Sequence, residues 1–340
     1  MLQNIQRLGR GQRIIIFILL FGGALMGLIA ITALLIILTL NAGGREAAVP
    51  LVENVTVREF AALPDNDAYP AAVAAAPDGT IYTGSYVTGT IWSIDAGGNL
   101  TELPGTRETI GAVSGLTVSP DGALYVVDQL DADTRTLGGA LIRIAPDGTI
   151  SDFAEIADER GFILPDDVAL DSQGRVYVSD RGRGEIWRFA ADGSDGQMWW
   201  KPPETADQTR HVPTGLAYDA VNSAMVVTDS NLNVIYRVST ADASAEAIYT
   251  HGNRDFAPGL DGVTITPDGT IYVSAAAQNG IAVLNNGELE YIAGRFRSPS
   301  DVDYREGRLY VANFDSFSLV VPAVAPRIPF TIDVISLASQ

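Results

Sequence analysis

The chain holds two histidines, His211 in "RHVPTG" and His251 in "THGNRD". Histidine changes charge near neutral pH and is the natural side chain to take a proton from water. Carboxylates recur in short motifs that open apolar runs: Asp166 and Asp167 in "LPDDVAL", Asp261 in "GLDGVTI" and Asp301 in "SPSDVDY". Thr214 holds a matching place in "VPTGLAY". Carboxylate and carbonyl oxygens are ligands for a hard cation such as Ca²⁺. A cation that polarises a carbonyl, with a histidine that activates water, would hydrolyse a lactone or ester. The other role open to these aspartates is architectural, accepting backbone N–H bonds and pinning neighbouring elements.

Other chemistries lack their residues. No cysteine is present, so disulfides, thiolate metal sites and cysteine nucleophiles are excluded. No G-x-S-x-G, P-loop, H-E-x-x-H or dinucleotide fingerprint occurs. The net charge is −19, and residues 1–40 contain three arginines (Arg7, Arg10 and Arg13) and no acid. The rest of the chain is therefore near −22, that is −19 minus +3. Such a surface repels nucleic acid, whose phosphates need a basic footprint.

The elements that must position these residues are repeats. "PDGTIYTGS" at 77–85 returns as "PDGTIYVSA" at 267–275, and related phrases fall between and after them. Tyr82, Tyr125, Tyr177, Val226, Tyr272 and Tyr310 occupy corresponding places, at separations of 43, 52, 49, 46 and 38. A period of this size marks stacked supersecondary units. Each unit reads as an alternating run, an Asp-Gly or equivalent turn, and three further short runs. Four antiparallel strands repeated six times predict an all-β, six-bladed β-propeller. Strand-one starts and strand-two ends then gather on one face, the mouth, while the Asp-Gly turns gather on the other. "VTVREFAAL" (55–63) and "FTIDVISL" (330–337) both suit the strand that closes the ring. As a fourth strand, 55–63 would begin at the turn face, and the linker before it would arrive there. Trp199 and Trp200 suit a ligand rim, a lipid contact or packing between blades.

The repeat, seen in "LPDDVALDSQGRVYVSDRGRGEIWRF" and "VPTGLAYDAVNSAMVVTDSNLNVIYRV", resembles the SMP-30/gluconolactonase/LRE-like superfamily. Paraoxonases and strictosidine-synthase-like proteins are relatives of that group, and the pattern is also similar to NHL-repeat propellers. The resemblance spans roughly 54–340. It implies a divalent metal, usually calcium, in the central channel, held by a first-blade Glu, two Asn and an Asp. By that resemblance Asp166 and Thr214 stand in the Asn places, Asp261 in the Asp place, and Asp301 is a substitute ligand. Ala71 or Ala72 stands where the Glu is expected. His211 and His251 are then the candidate catalytic bases. The alternative implied by NHL propellers is non-catalytic binding of a protein, peptide or glycan at the mouth.

Residues 14–40 form an uncharged apolar run. About 20 such residues cross a bilayer as a helix, and signal-peptide cores are shorter. The expected organisation is a cytoplasmic tail (1–13), a transmembrane signal anchor (14–40), a linker (41–53) and an extracytoplasmic propeller (54–340). The arginines ahead of the run set that orientation. Gly23 and Gly27 form one G-x-x-x-G, a weak helix-dimerisation face.

Overall fold

The computed structural model describes residues 9–42, 44–154, 156, 160–206, 208–252 and 255–338. Most of the expected tail, residues 1–8 with Arg7, lies outside the described residues. Packing divides the chain into two units, 1–45 with 317–327, and 46–316 with 328–340.

The larger unit is a six-bladed β-propeller of antiparallel sheets. We letter the strands A to D outward from the axis. Blade 1 comprises Pro70–Ala75, Ile81–Ser85, Ile91–Ile94 and Leu100–Glu102. Blade 2 comprises Val113–Val118, Leu124–Asp128, Ala140–Ile144 and Ile150–Ala154. Blade 3 comprises Pro165–Leu170, Val176–Asp180, Glu185–Phe189 and Gln197–Trp200. Blade 4 comprises Pro213–Asp219, Ala224–Asp229, Val234–Ser239 and Ala245–Thr250. Blade 5 comprises Leu260–Ile265, Ile271–Ala275, Gly280–Asn285 and Glu288–Gly294. Blade 6 takes A, B and C from Pro299–Arg305, Arg308–Asn313 and Thr331–Leu337, and D from Val55–Ala62.

The Asp-Gly phrases are the A–B turns. Gly79 has φ 93° with open space around it, so backbone conformation is what requires glycine there. Asp78 Oδ1 accepts the Thr80 N–H at 2.9 Å and fixes the turn. Apolar side chains alternate along the strands and pack between facing blades. Tyr125, Val127 and Leu141 of blade 2 meet Val178, Trp187 and Phe189 of blade 3 in one such layer. Trp199 packs edge-on against Tyr177, and Trp200 against Tyr236 of blade 4. Trp200 thus packs across the blade boundary, and Trp199 borders the same apolar layer from within blade 3.

Both terminal segments close the ring. Val55–Ala62 pairs with Thr331–Leu337, Val55 opposite Leu337 and Ala62 opposite Thr331. The linker, however, does not arrive at the turn face. Val49–Pro50 first pairs with blade 5, Val49 opposite Gly294, at the mouth end of strand D. The Leu51 N–H extends this pairing to the Ile292 carbonyl at 2.9 Å. The chain then descends that edge before strand 55–62 begins. Backbone pairing along an otherwise open sheet edge is the reason for the detour.

The smaller unit contains a helix, Arg10–Ala42, long and apolar enough to cross a membrane. Gly23 and Gly27 lie on it with nothing against them. Asn41 bonds to residues 323 and 325, which belong to the segment between strands B and C of blade 6. Its Nδ2 donates to the Ala323 carbonyl at 3.0 Å, and its Oδ1 accepts the Ala325 N–H at 2.8 Å.

Candidate functional site at the channel mouth

Every strand A carries a register shift at its start, between Pro165 and Val168 in blade 3 and at the matching place in the other five. A bulge re-aims consecutive side chains. The first re-aimed positions are Ala71, Ser114, Asp166, Thr214, Asp261 and Ser300. The next are Ala72, Gly115, Asp167, Gly215, Gly262 and Asp301. Neighbouring backbones come close at this second tier. A Cβ on Gly115 would lie 2.6 Å from the Asp166 carbonyl oxygen.

A hoop of hydrogen bonds ties the inner strands together. Strand-B hydroxyls donate to the strand-A backbone of the following blade: Ser179 to the Thr214 carbonyl at 2.5 Å, Thr228 to Asp261 at 2.6 Å, and Ser274 to Ser300 at 3.0 Å. Ser300 donates onward to the Ala71 carbonyl at 2.7 Å. Second-tier aspartates act in the same way. Asp167 accepts the Leu216 N–H and Asp301 the Val73 N–H, both at 2.8 Å across a blade boundary. The aspartates that end strand B clamp the incoming loop. Asp180 takes the N–H groups of Ile163 and Leu164, and Asp128 those of Gly111 and Ala112.

What remains facing the channel is a compact polar group. The residue after strand B is Tyr86 in blade 1, Gln129 in blade 2, Arg181 in blade 3 and Phe314 in blade 6. Arg181 Nη1 lies 3.2 Å from Asp166 Oδ1, and Nη2 donates to Gln129 Oε1 at 3.1 Å. The Tyr86 hydroxyl donates to the same Gln129 oxygen at 2.9 Å. Gln129 Nε2 donates to the Pro165 carbonyl at 2.9 Å. The Tyr86 ring meets Phe314 edge-on at 5.3 Å. Four blades are thereby joined across the mouth.

Asp261 of blade 5 faces this group. Burial, and then the neighbouring Asp166 charge, hold its carboxyl well above the usual range, with Arg181 opposing. Burial raises Asp166 also, against the pull of Arg181. Deeper in the channel, burial raises Asp301 to about 7, despite its bond from Val73. Asp167 is raised well above the usual range by burial and by the Asp301 charge. The second-tier aspartates also border a cavity of about 450 Å³ that opens at the turn face.

The histidines are engaged in their loops. His211 Nδ1 lies 2.7 Å from Asp229 Oδ2, and its Nε2 lies 2.8 Å from the Pro203 carbonyl. His251 lies 3.1 Å from the Tyr249 hydroxyl and 3.3 Å from the Asp255 carbonyl. Of the four expected metal ligands, Asp261 neighbours Asp166, and the other contacts of the set are already taken. Asp166 is paired with Arg181, Asp301 takes backbone N–H groups, and Thr214 Oγ1 lies 3.1 Å from Thr228 Oγ1. No three Asp, Glu, His or Cys side chains form a metal cluster among the described residues. A guanidinium occupies the place beside Asp166, so the set does not fit a divalent cation. Sequence reasoning missed Tyr86, Gln129 and Phe314. Their shared signal is the position directly after the end of strand B, visible once the repeats are aligned.

The NHL repeat family matches residues 162–189, which are strands A to C of blade 3 with Asp166 and Arg181. No curated protein sequence matches the chain. Solved structures do. A gluconolactonase from Xanthomonas campestris superposes with a TM-score of 0.61 at 15% identity, over 86% of this chain and 95% of that one. A catalytically inactive virginiamycin B lyase from Staphylococcus aureus, with quinupristin, gives 0.58 at 18% identity, over 83% and 99%. A streptogramin B lyase gives 0.58 at 16% identity, over 84% and 98%. The chain is thus a six-bladed propeller that shares its fold with the gluconolactonase and streptogramin B lyase structures and carries an NHL repeat in its third blade.

Proposed function

We propose that this chain is a membrane-anchored propeller that binds a hydroxyl-bearing ligand, of the glycan class, at its channel mouth without a divalent metal. The observation that carries this reading is the Tyr86–Gln129–Arg181–Asp166 network with Asp261 facing it. The Arg181 guanidinium and the Asp166 and Asp261 carboxyls offer charged donors and acceptors, the partners that ligand hydroxyl groups need. Helix Arg10–Ala42 serves as the signal anchor, N-terminus inside, with the propeller extracytoplasmic. The two histidines are loop-positioning residues in this reading, because each ring nitrogen already has an oxygen neighbour. A screen of the purified ectodomain, residues 46–340, against an oligosaccharide panel tests the proposal. Binding that is insensitive to chelator and lost in Arg181→Met supports it. Binding that needs added calcium, or survives Arg181→Met unchanged, overturns it.

A second reading, lactone or ester hydrolysis, is favoured by one observation. Asp261 is a carboxyl that keeps its proton above the usual range and faces the channel, which suits a proton carrier. The gluconolactonase among the fold relatives gives lactones as the class to assay. Turnover that resists chelator and disappears in Asp261→Asn would establish this reading over simple binding.

A further inference from the structure

Residues 316–332 contain no acid and a single charge, Arg327, in a chain whose net charge is −19. Within this stretch Phe317 is 49% exposed and Val320 is 78% exposed, both large apolar side chains turned to solvent. Segment 317–327 belongs to the same packing unit as the apolar helix. The side chain of Asn41 clamps it from both sides, donating to the Ala323 carbonyl at 3.0 Å and accepting the Ala325 N–H at 2.8 Å. Asn41 directly follows Leu40, the last residue of the apolar run. The clamp therefore sets the depth of 323–325 at the level where the helix leaves the hydrocarbon.

We propose that residues 317–327 are a second membrane element, an interfacial segment whose Phe317 and Val320 side chains insert into the head-group region of the leaflet at the helix C-terminal end. Several observations agree on that occupant. The depth is fixed by hydrogen bonds to the anchor itself. The stretch lacks the acids that would keep it from anionic lipid, and its single charge is positive. Phe317 and Val320 are three residues apart on the short helix Ser316–Val320, a spacing that puts both on one side of it. The proposal rests on the reading of residues 14–40 as a membrane span.

The absence of cysteine makes the test direct. Four full-length single-cysteine variants, Phe317→Cys, Val320→Cys, Leu28→Cys and Ser244→Cys, are labelled with an environment-sensitive fluorophore and reconstituted into vesicles of zwitterionic and anionic phospholipid. Quenching is read with lipids brominated near the head group or near the chain end. The expected result is quenching of the 317 and 320 labels by the shallow bromines, of the 28 label by the deep bromines, and none at 244. Quenching at 28 with emission at 317 and 320 as unaffected as at 244 overturns the inference and leaves the anchor standing. No quenching at 28 overturns the anchor reading and the inference with it. Emission at 317 and 320 that responds to protein density and not to bromines would identify a second copy of this chain as the occupant, and would also overturn it.

Discussion

The charge state of Asp261 bears on both ligand and fold. Its carboxyl is raised by burial and by Asp166, so the folded protein holds that proton where the unfolded chain releases it. Stability from this proton is complete below the ordinary carboxylate range, about pH 4, and is lost as pH rises through the higher folded value. Asp261→Asn keeps the shape and removes the charge. Its melting temperature should match wild type near pH 4 and exceed it by a few degrees at pH 8. A gap that stays constant across a pH series would refute the assignment. His211→Ala should act differently. It strips the buried Asp229 and the Pro203 carbonyl of a partner and should cost about 1–3 kcal/mol in denaturant unfolding. Ligand binding by the folded variant should be unchanged. Asp166 and Asp261 were legible in the sequence because the repeat places them at the start of strand A. The partnership of Asp166 with Arg181 was not, since the two lie on different strands and meet only when blade 3 is folded. Tyr86 and Phe314 are 228 residues apart, and only ring closure brings them together.

At the scale of elements, turn chemistry made the six blades readable, because each Asp-Gly or equivalent reversal separates two alternating runs. Two things stayed hidden. The register shift at the start of every strand A leaves no mark in composition, yet it aims Asp166 toward the mouth and Asp167 toward the next blade. The closing strand was ambiguous because 55–63 and 330–337 alternate equally well. Blade 6 in fact uses both, as strands D and C. Deletion of residues 46–62 should therefore do more than shorten a linker. It strips the outer strand from blade 6 and leaves Thr331–Leu337 as an open edge, which invites strand pairing between molecules. Light scattering should show association of the truncated propeller at concentrations where residues 46–340 remain monodisperse. Equal behaviour of the two proteins would mean that the closing strand is dispensable.

For the molecule as a whole, the path of residues 46–62 has a mechanical consequence. Load applied through residue 46 enters Val49–Pro50 first. That pairing is two residues long, and it lies ahead of the eight-residue strand Val55–Ala62 that seals the ring. The short bridge to blade 5 thus acts as a fuse, releasing a few residues of slack before tension reaches the seal. Pulled from residue 46 against an anchor at residue 338 in an optical trap, the propeller should give a small, low-force, reversible extension. A larger rip should follow when blade 6 opens. Substituting proline for Val49 should abolish the first event and spare the second. A single rip in both proteins would show that bridge and seal fail together, and the ring would then have no protection from forces applied through residue 46.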